Sequence, residues 1–197
     1  MKEFVKKYLS VYANKPLKIL DIGSMDVNGT YKPLFNVSGW SYFGCDLEKG
    51  KNVDIVLAGM YDWKNIESES FDVVISGQCF EHVEYFWITM LEITRVLKEN
   101  GICCIIAPSS GPEHRFPVDC WRFYPDGFRS LAKYCGLQVI ELSTDWHGSA
   151  PWHDSWMVCS KPSLTDEQKE LFNYKNYLSK LIVDDSTLKS FIKKINT

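Results

Sequence analysis

The chain has 197 residues, 45% of them hydrophobic and 14% aromatic. That length fits one domain of ~100–200 residues with a short appendage, and the composition excludes a disordered chain, which cannot bury enough apolar surface to offset its lost entropy. Twenty-two lysines and arginines against 25 aspartates and glutamates leave a net charge of −3, so the basic footprint that neutralises phosphates is missing and nucleic acid is not an expected partner. The longest apolar run, Ile102–Ala107, falls far short of the ~20 residues a bilayer crossing needs. The charged stretch Met1–Ser10 lacks the apolar core of a signal peptide. A cytoplasmic protein with no membrane partner is expected. The seven cysteines are odd in number and form no C-x-x-C pair, which reads as reduced thiols packed as small hydrophobes.

The first twelve residues carry Phe4, Val5, Tyr8, Leu9 and Tyr12 at amphipathic helical spacing. Five short apolar runs follow: Leu17–Ile22, Tyr42–Cys45, Val53–Leu57, Phe71–Ile75 and Ile102–Ala107. They are near-continuous rather than alternating, the pattern of strands covered on both faces. Between the fourth and fifth, Glu81 to Lys98 reads as a helix, with Val83, Phe86, Met90, Leu91, Thr94 and Leu97 on one stripe and Asn100-Gly101 as its stop. Pro125 to Tyr134 is a second helix, opened by proline and closed by Gly136. Strands Leu137–Leu142 and Ser155–Cys159 are joined by a long link that holds Trp146, His147, Trp152 and His153. Thr165 and Gln168 form a capping box for a helix running to about Val183, and a short final helix is expected from Ser186. Alternating strands and helices of this kind mean an α/β fold with a largely parallel sheet. Ligands then bind beyond the carboxyl ends of the strands.

The first strand ends in Asp21-Ile22-Gly23-Ser24-Met25-Asp26-Val27-Asn28-Gly29. Gly23 allows close backbone approach to a ligand and Asn28-Gly29 tolerates a tight turn; a structural turn and a ligand loop are both open readings. No G-x-G-x-x-G or G-x-x-x-x-G-K-[ST] phosphate loop is present. Asp46, after the second strand, stands 23 residues beyond Gly23, where an acidic residue can accept the two hydroxyl hydrogen bonds of a ribose. Gly77 and His82 follow the fourth strand; His82 is placed to touch cofactor or substrate, or to cap and pack. The histidines and acids His114, Asp119, His147, His153 and Asp154 have no spacing that demands a metal, and none is expected.

Leu20-Asp21-Ile22-Gly23, Asp46, Phe71-Asp72-Val73-Val74-Ile75-Ser76, Glu81-His82-Val83 and Arg95-Val96-Leu97-Lys98-Glu99-Asn100-Gly101, in that order, resemble a class I S-adenosylmethionine-dependent methyltransferase over about residues 18–162. Gly111 to Phe128 is similar to a bacterial-type branch with an H-R/K-x-P-x-D-x-W-R-F block, whose members look linked to glycan or surface-polymer pathways. The resemblance implies a Rossmann-like fold: a mostly parallel seven-stranded sheet, its last strand antiparallel, with helices on both faces. It implies a methyltransferase domain over residues 1–162, the N-terminal helix included, and a C-terminal helical extension over 163–197. S-adenosylmethionine is the implied cofactor, held by Asp21, Gly23, Ser24, Asp46, Leu47, Met60, Tyr61, Gly77 and Gln78. The family's usual acid near the adenine amino group has no clear counterpart; Asp62, or packing by Met60 or Tyr61, are the candidates.

The acceptor is expected over the fourth and fifth strands, a small polar molecule with a sugar or glycan hydroxyl. His82, His114, Asp119, His147 and His153 are the candidates for the base; His114 is the expected one, with Asp119 orienting it or a substrate hydroxyl, and Arg115, Trp121, Arg122, His147 and His153 are the expected acceptor contacts. A network of Arg115, Asp119 and Arg122 that merely pins the loop is the competing reading. N-methylation of a small amine or amino sugar, and a non-catalytic binding module of the same fold, are the alternatives for function. The tail is expected to pack on the domain, cover the site or pair with a second copy in a homodimer.

Overall fold

The computed structural model describes residues 1–147, 151–183, 188, 189 and 193. Seven strands form one sheet: β1 (Leu17–Ile22), β2 (Trp40–Asp46), β3 (Ile55–Val56), β4 (Phe71–Gly77), β5 (Leu97–Pro108), β6 (Gln138–Thr144) and β7 (Asp154–Ser160). Their order is β3-β2-β1-β4-β5-β7-β6. The pairs from β3 through β5 are parallel, and β7 is antiparallel to both β5 and β6. This is the expected Rossmann-like sheet with its last strand reversed. The apolar runs of β1 and β4 are buried on both faces because the sheet has a core on each side. Leu20, Val74 and Ile105 pack under α2 (Phe86–Val96) and α3 (Pro125–Cys135). Ile19, Ile75 and Cys104 pack against Phe4, Leu9 and Phe35.

Four elements depart from the sequence reading. The N-terminal segment is not one α-helix: α1 (Lys2–Phe4) leads into a π-helical turn over Val5–Leu9 and a 3-10 turn over Ser10–Tyr12. Phe4 and Leu9 are both buried; five residues apart, they reach one face only if the helix widens from the α to the i→i+5 winding. The helix expected from Glu81 begins at Phe86 instead, after a 3-10 turn over Phe80–His82 and extended Val83. It stops at Val96, not at Asn100-Gly101, because Leu97 is already extended and pairs with Phe71. Asn100 then takes φ +62° inside β5, and its N–H donates to the Lys161 carbonyl. The third strand shrinks to Ile55–Val56, since the Asp54 carboxylate accepts from the Gly44 N–H.

The second predicted helix is α3, with Pro125 at its start and Gly136 in the left-handed region at its end. The capping box is formed: Thr165 N–H donates to Gln168 Oε1 at 2.9 Å and Gln168 N–H to Thr165 Oγ1 at 3.3 Å. It opens α4 (Asp166–Val183), which packs on α2. The short helix expected from Ser186 falls almost wholly outside the described residues. All seven cysteines are free, and five are buried. Among the described residues no helix is long and apolar enough to cross a membrane.

Candidate active site

Asp21 ends β1, buried, and accepts a hydrogen bond from the Tyr42 hydroxyl. Burial pushes its carboxyl up to about 7, the Tyr42 bond pulls the other way, and Asp46 adds to the rise. Gly23 follows at φ +71°. A Cβ there would lie 2.6 Å from Cys79 Sγ, so only glycine lets the β1 and β4 loops close on each other. The loop is tied to β2 by its backbone: Gly23 and Ser24 N–H donate to the Cys45 carbonyl. The Ser24 hydroxyl donates to the Asn52 carbonyl at 2.9 Å. Asp26 Oδ1 accepts from Gly29 N–H at 3.0 Å, which closes the Asn28-Gly29 turn.

Asp46 stands beside this loop, Oδ2 accepting from Met25 N–H at 3.0 Å and Oδ1 from Leu47 N–H at 2.7 Å. Each oxygen keeps a further lone pair. Leu47 is exposed next to it. Asp62 is paired with Lys64 at 2.6 Å and lies 3.8 Å from Lys180. Of the candidates for the adenine ring, that leaves half-buried Met60 and Tyr61 without a competing charge partner; the Tyr61 hydroxyl accepts from Tyr85 N–H at 3.2 Å. At the end of β4, Gly77 is covered by the Tyr31 ring, and Gln78 is exposed at φ +57°. Tyr31 was not singled out from sequence; only its position after the Asn28-Gly29 turn hints at it. Its hydroxyl is pushed up to about 12 by burial and by the charges of Asp21 and Asp154.

The fourth and fifth strands deliver a second group. The 3-10 turn after β4 presents Glu81 and His82, and the loop after β5 presents His114. The two imidazoles meet edge to face at 4.9 Å between centroids. Glu81 is fully buried, and neither carboxylate oxygen has a hydrogen-bond partner. Burial pushes it up to about 7; its own backbone N–H opposes the rise, Asp154 adds to it and Arg122 opposes it. His82 Nδ1 lies 2.6 Å from the Val118 carbonyl, and its Nε2 is 3.6 Å from Glu81 Oε1. His114 stacks against Trp152 at 4.4 Å, and its Nδ1 is buried without a hydrogen-bond partner, 3.4 Å from Asp119 Oδ2.

Asp119 is gripped by the Arg122 guanidinium at 2.6 and 2.8 Å, and its Oδ2 also accepts from the His114 backbone N–H at 2.7 Å. Arg122 further donates to the carbonyls of Trp121 and Pro112. The loop-pinning network therefore exists, but without Arg115, which pairs with Glu113 on the surface. Trp121 is partly exposed and donates to the Glu84 carbonyl at 3.0 Å. The late link reaches this group through Trp152, which packs on Gly111 at φ +104°. His153 instead turns to Trp146 and the Asp145 carbonyl, and exposed His147 donates its backbone N–H to Asp145. Among the described residues no hydrogen bond or ring contact joins these two histidines to His114; residues 148–150 lie outside the described residues.

Residues 21–105 match the family described as "Methyltransferase domain". Among solved structures, the chain resembles the 1,6-didemethyltoxoflavin-N1-methyltransferase of Burkholderia thailandensis with bound S-adenosylhomocysteine (15% identity, 78% of this chain and 74% of that one, TM-score 0.62). It also resembles a SAM-dependent methyltransferase from Methanosarcina mazei (12% identity, 79% and 97%, TM-score 0.61). The fold is that of the class I S-adenosylmethionine-dependent methyltransferases. The same fold serves the [4+2]-cyclase SpnF (12% identity, 76% of each chain, TM-score 0.58), so fold alone does not name the reaction. No curated protein matches the chain. At the strand ends, Cys79 fills the space over Gly23 and the Tyr31 ring that over Gly77, while the Asp46 carboxylate stands beside the Gly23 turn with a lone pair open on each oxygen.

Proposed function

We propose that this methyltransferase O-methylates a small polar acceptor, a sugar or glycan hydroxyl. The observation that carries the reading is the Glu81, His82 and His114 group at the carboxyl ends of β4 and β5. An amine needs only a free lone pair to be methylated, whereas a hydroxyl must also lose a proton, and a positioned proton acceptor is worth ~10²–10⁴-fold. S-adenosylmethionine, when bound, supplies a methyl group already electrophilic on a sulfonium. The chain's part is to hold the pieces in line, which is worth up to ~7–11 kcal/mol.

Asp46 accepts from the ribose hydroxyls, Met60 and Tyr61 pack the adenine, and the Gly23–Ser24 and Gly77–Gln78 turns hold the rest. The acceptor oxygen forms the new O–CH3 bond with its lone pair, the S–CH3 pair stays on sulfur, and the hydroxyl proton passes to the histidine group. Asp119 acts as a positioning residue: its oxygens carry Arg122 and the His114 backbone. Exposed Phe116 and Trp121 beside the loop offer faces suited to the C–H surface of a sugar, with Arg115 for its polar groups.

The test is calorimetry with S-adenosylhomocysteine on the wild type and on Asp46→Ala, followed by product formation from a panel of nucleotide sugars and free glycans. Losing two hydrogen bonds to a charged group, ~1.5–3 kcal/mol each, weakens binding at least a hundredfold in the variant. Turnover of sugars but not of small amines is expected. No binding at millimolar cofactor, or turnover of amines alone, overturns the proposal.

A further inference from the structure

We propose that Glu81, His82 and His114 form a site for one divalent first-row transition cation, of the Mn2+ to Zn2+ group, whose open positions hold the acceptor's hydroxyl oxygen. The role toward the acceptor rests on the O-methylation reading above; the binding of the cation does not. One carboxylate oxygen and two imidazole nitrogens, from two separate loops, lie within 4.8 Å of one another. Around a cation with ligand bonds of ~2.0–2.2 Å such atoms stand ~3–3.5 Å apart, so the group closes by about an ångström on binding.

Three features distinguish this group from an ordinary buried cluster. Glu81 has no exposed surface and neither oxygen has a partner, a state that is costly for a carboxylate unless something positive is supplied. The nearest fixed positive charge is Arg122, and it is matched by Asp119, which takes both its terminal nitrogens. Asp154, also with an unpartnered buried oxygen, adds to the negative charge felt by Glu81. The pocket thus holds an uncompensated acid beside two histidines.

The second feature is the orientation of His82. Opposite a carbonyl, Nδ1 must carry the hydrogen, so Nε2 presents a lone pair toward Glu81 Oε1 at 3.6 Å. At that separation the two make no hydrogen bond, so the Nε2 lone pair is unclaimed. A ring nitrogen fixed by a backbone carbonyl, leaving the other for a metal, is the usual outer-sphere arrangement of a metal-bound histidine. The third is His114, whose Nδ1 is buried with no hydrogen bond, 3.4 Å from Asp119 Oδ2, and whose ring places a nitrogen within 4.8 Å of the Glu81 and His82 ligand atoms. Two imidazoles and one carboxylate favour a first-row transition ion over Mg2+ or Ca2+, and three ligands leave coordination positions open for a substrate oxygen. With the cation bound both imidazoles serve as its ligands, so the proton no longer passes to them: the cation holds the hydroxyl oxygen and makes its proton acidic enough to leave to water instead.

Apo protein is titrated with Co2+, followed by visible absorption, and with Mn2+ and Zn2+ by calorimetry; S-adenosylhomocysteine binding is measured on the same samples. One Co2+ per chain is expected, with the absorption of a low-symmetry nitrogen and oxygen site. Glu81→Gln and His114→Ala should each weaken it by more than the ~10–100-fold typical of losing a mere second-layer partner, with cofactor binding retained. His114→Ala alters a half-exposed side chain, so it stands as the folded variant should Glu81→Gln misfold. No binding of any of the three ions at millimolar concentration to folded wild type overturns the site, as does binding that both substitutions leave unchanged. Cofactor binding without cation binding sinks the cation site alone. Cation binding without cofactor binding sinks the methyl-transfer reading and leaves the site standing.

Discussion

Replacing Glu92 by glutamine should remove a measurable share of the stability and loosen α4 from the domain. Glu92 is fully buried in α2. Its carboxylate accepts from Trp63 N–H at 3.1 Å, from Arg95 at 3.0 and 2.9 Å and from Asn176 Nδ2 at 2.8 Å, and Lys180 Nζ lies 2.9 Å away. Burial pushes this carboxyl up, but the hydrogen bonds from Arg95, Asn176 and Lys180 outweigh burial and bring it to about 2, against 4.5 for a free glutamate. A drop of that size is worth ~3 kcal/mol, which agrees with the ~3–5 kcal/mol lost when one partner of a buried pair is removed. Because the folded value lies below the unfolded one, the contribution is complete above about pH 4.5 and fades as pH falls toward 2. Glu92→Gln keeps the shape and leaves Arg95 and Lys180 facing a neutral amide. Urea unfolding should show a loss of ~3 kcal/mol at pH 7 and less than half of that at about pH 3. Hydrogen exchange should accelerate over Asp166–Val183 before the sheet. A loss below ~1 kcal/mol, or one of equal size at both pH values, would refute the reasoning.

Asp21→Asn should behave in the opposite sense. The folded carboxyl, at about 7, lies above its ordinary 3.8, so the wild type loses stability from this group as pH rises between those values, and the variant should gain on it by ~2–3 kcal/mol between pH 5 and pH 8; a pH-independent difference in urea unfolding of the apo proteins would contradict this. Gly77→Ala places a Cβ within 2.6 Å of Tyr31 Cε2, and such overpacking costs ~1–3 kcal/mol. Thermal unfolding should show that loss in the wild-type background and little of it in Tyr31→Ala, where the ring is gone; equal losses in both backgrounds would mean the alanine is felt elsewhere.

The parts of the fold legible in the sequence are those that one local physical rule determines. The unbroken apolar runs of β1 and β4 follow from burial on two faces. Pro125 with Gly136 brackets α3, and Thr165 with Gln168 opens α4. The misread parts are those where a distant partner decides. Asn100-Gly101 carries the turn chemistry of a helix stop, yet Leu97 leaves the helix earlier because Phe71 offers it a strand partner. Edge strand β3 is short because the neighbouring Asp54 carboxylate takes a backbone N–H of β2. Neither event has a local signature.

The candidate site divides along the same line. Asp21, Gly23 and Asp46 could be placed at the ends of β1 and β2 because those ends were visible in the sequence, and ligands of parallel sheets bind beyond such ends. His114 and Asp119 were expected as a pair; Asp119 hydrogen-bonds Arg122 and the His114 backbone, with the imidazole Nδ1 3.4 Å away, and the same ring lies against His82 and near Glu81. Glu81 entered only through the Glu81-His82-Val83 motif and as the first residue of the expected helix, and its burial is set by the distant loop after β5. Burying it without a partner requires the Asp119–Arg122 clamp, which fixes the loop after β5 over the turn after β4 and uses up the positive charge that would otherwise neutralise it. The clamp therefore explains both the position of His114 and the missing partner of Glu81. That link is why the loop's ion pair and the chemistry of the site should be perturbed together rather than separately.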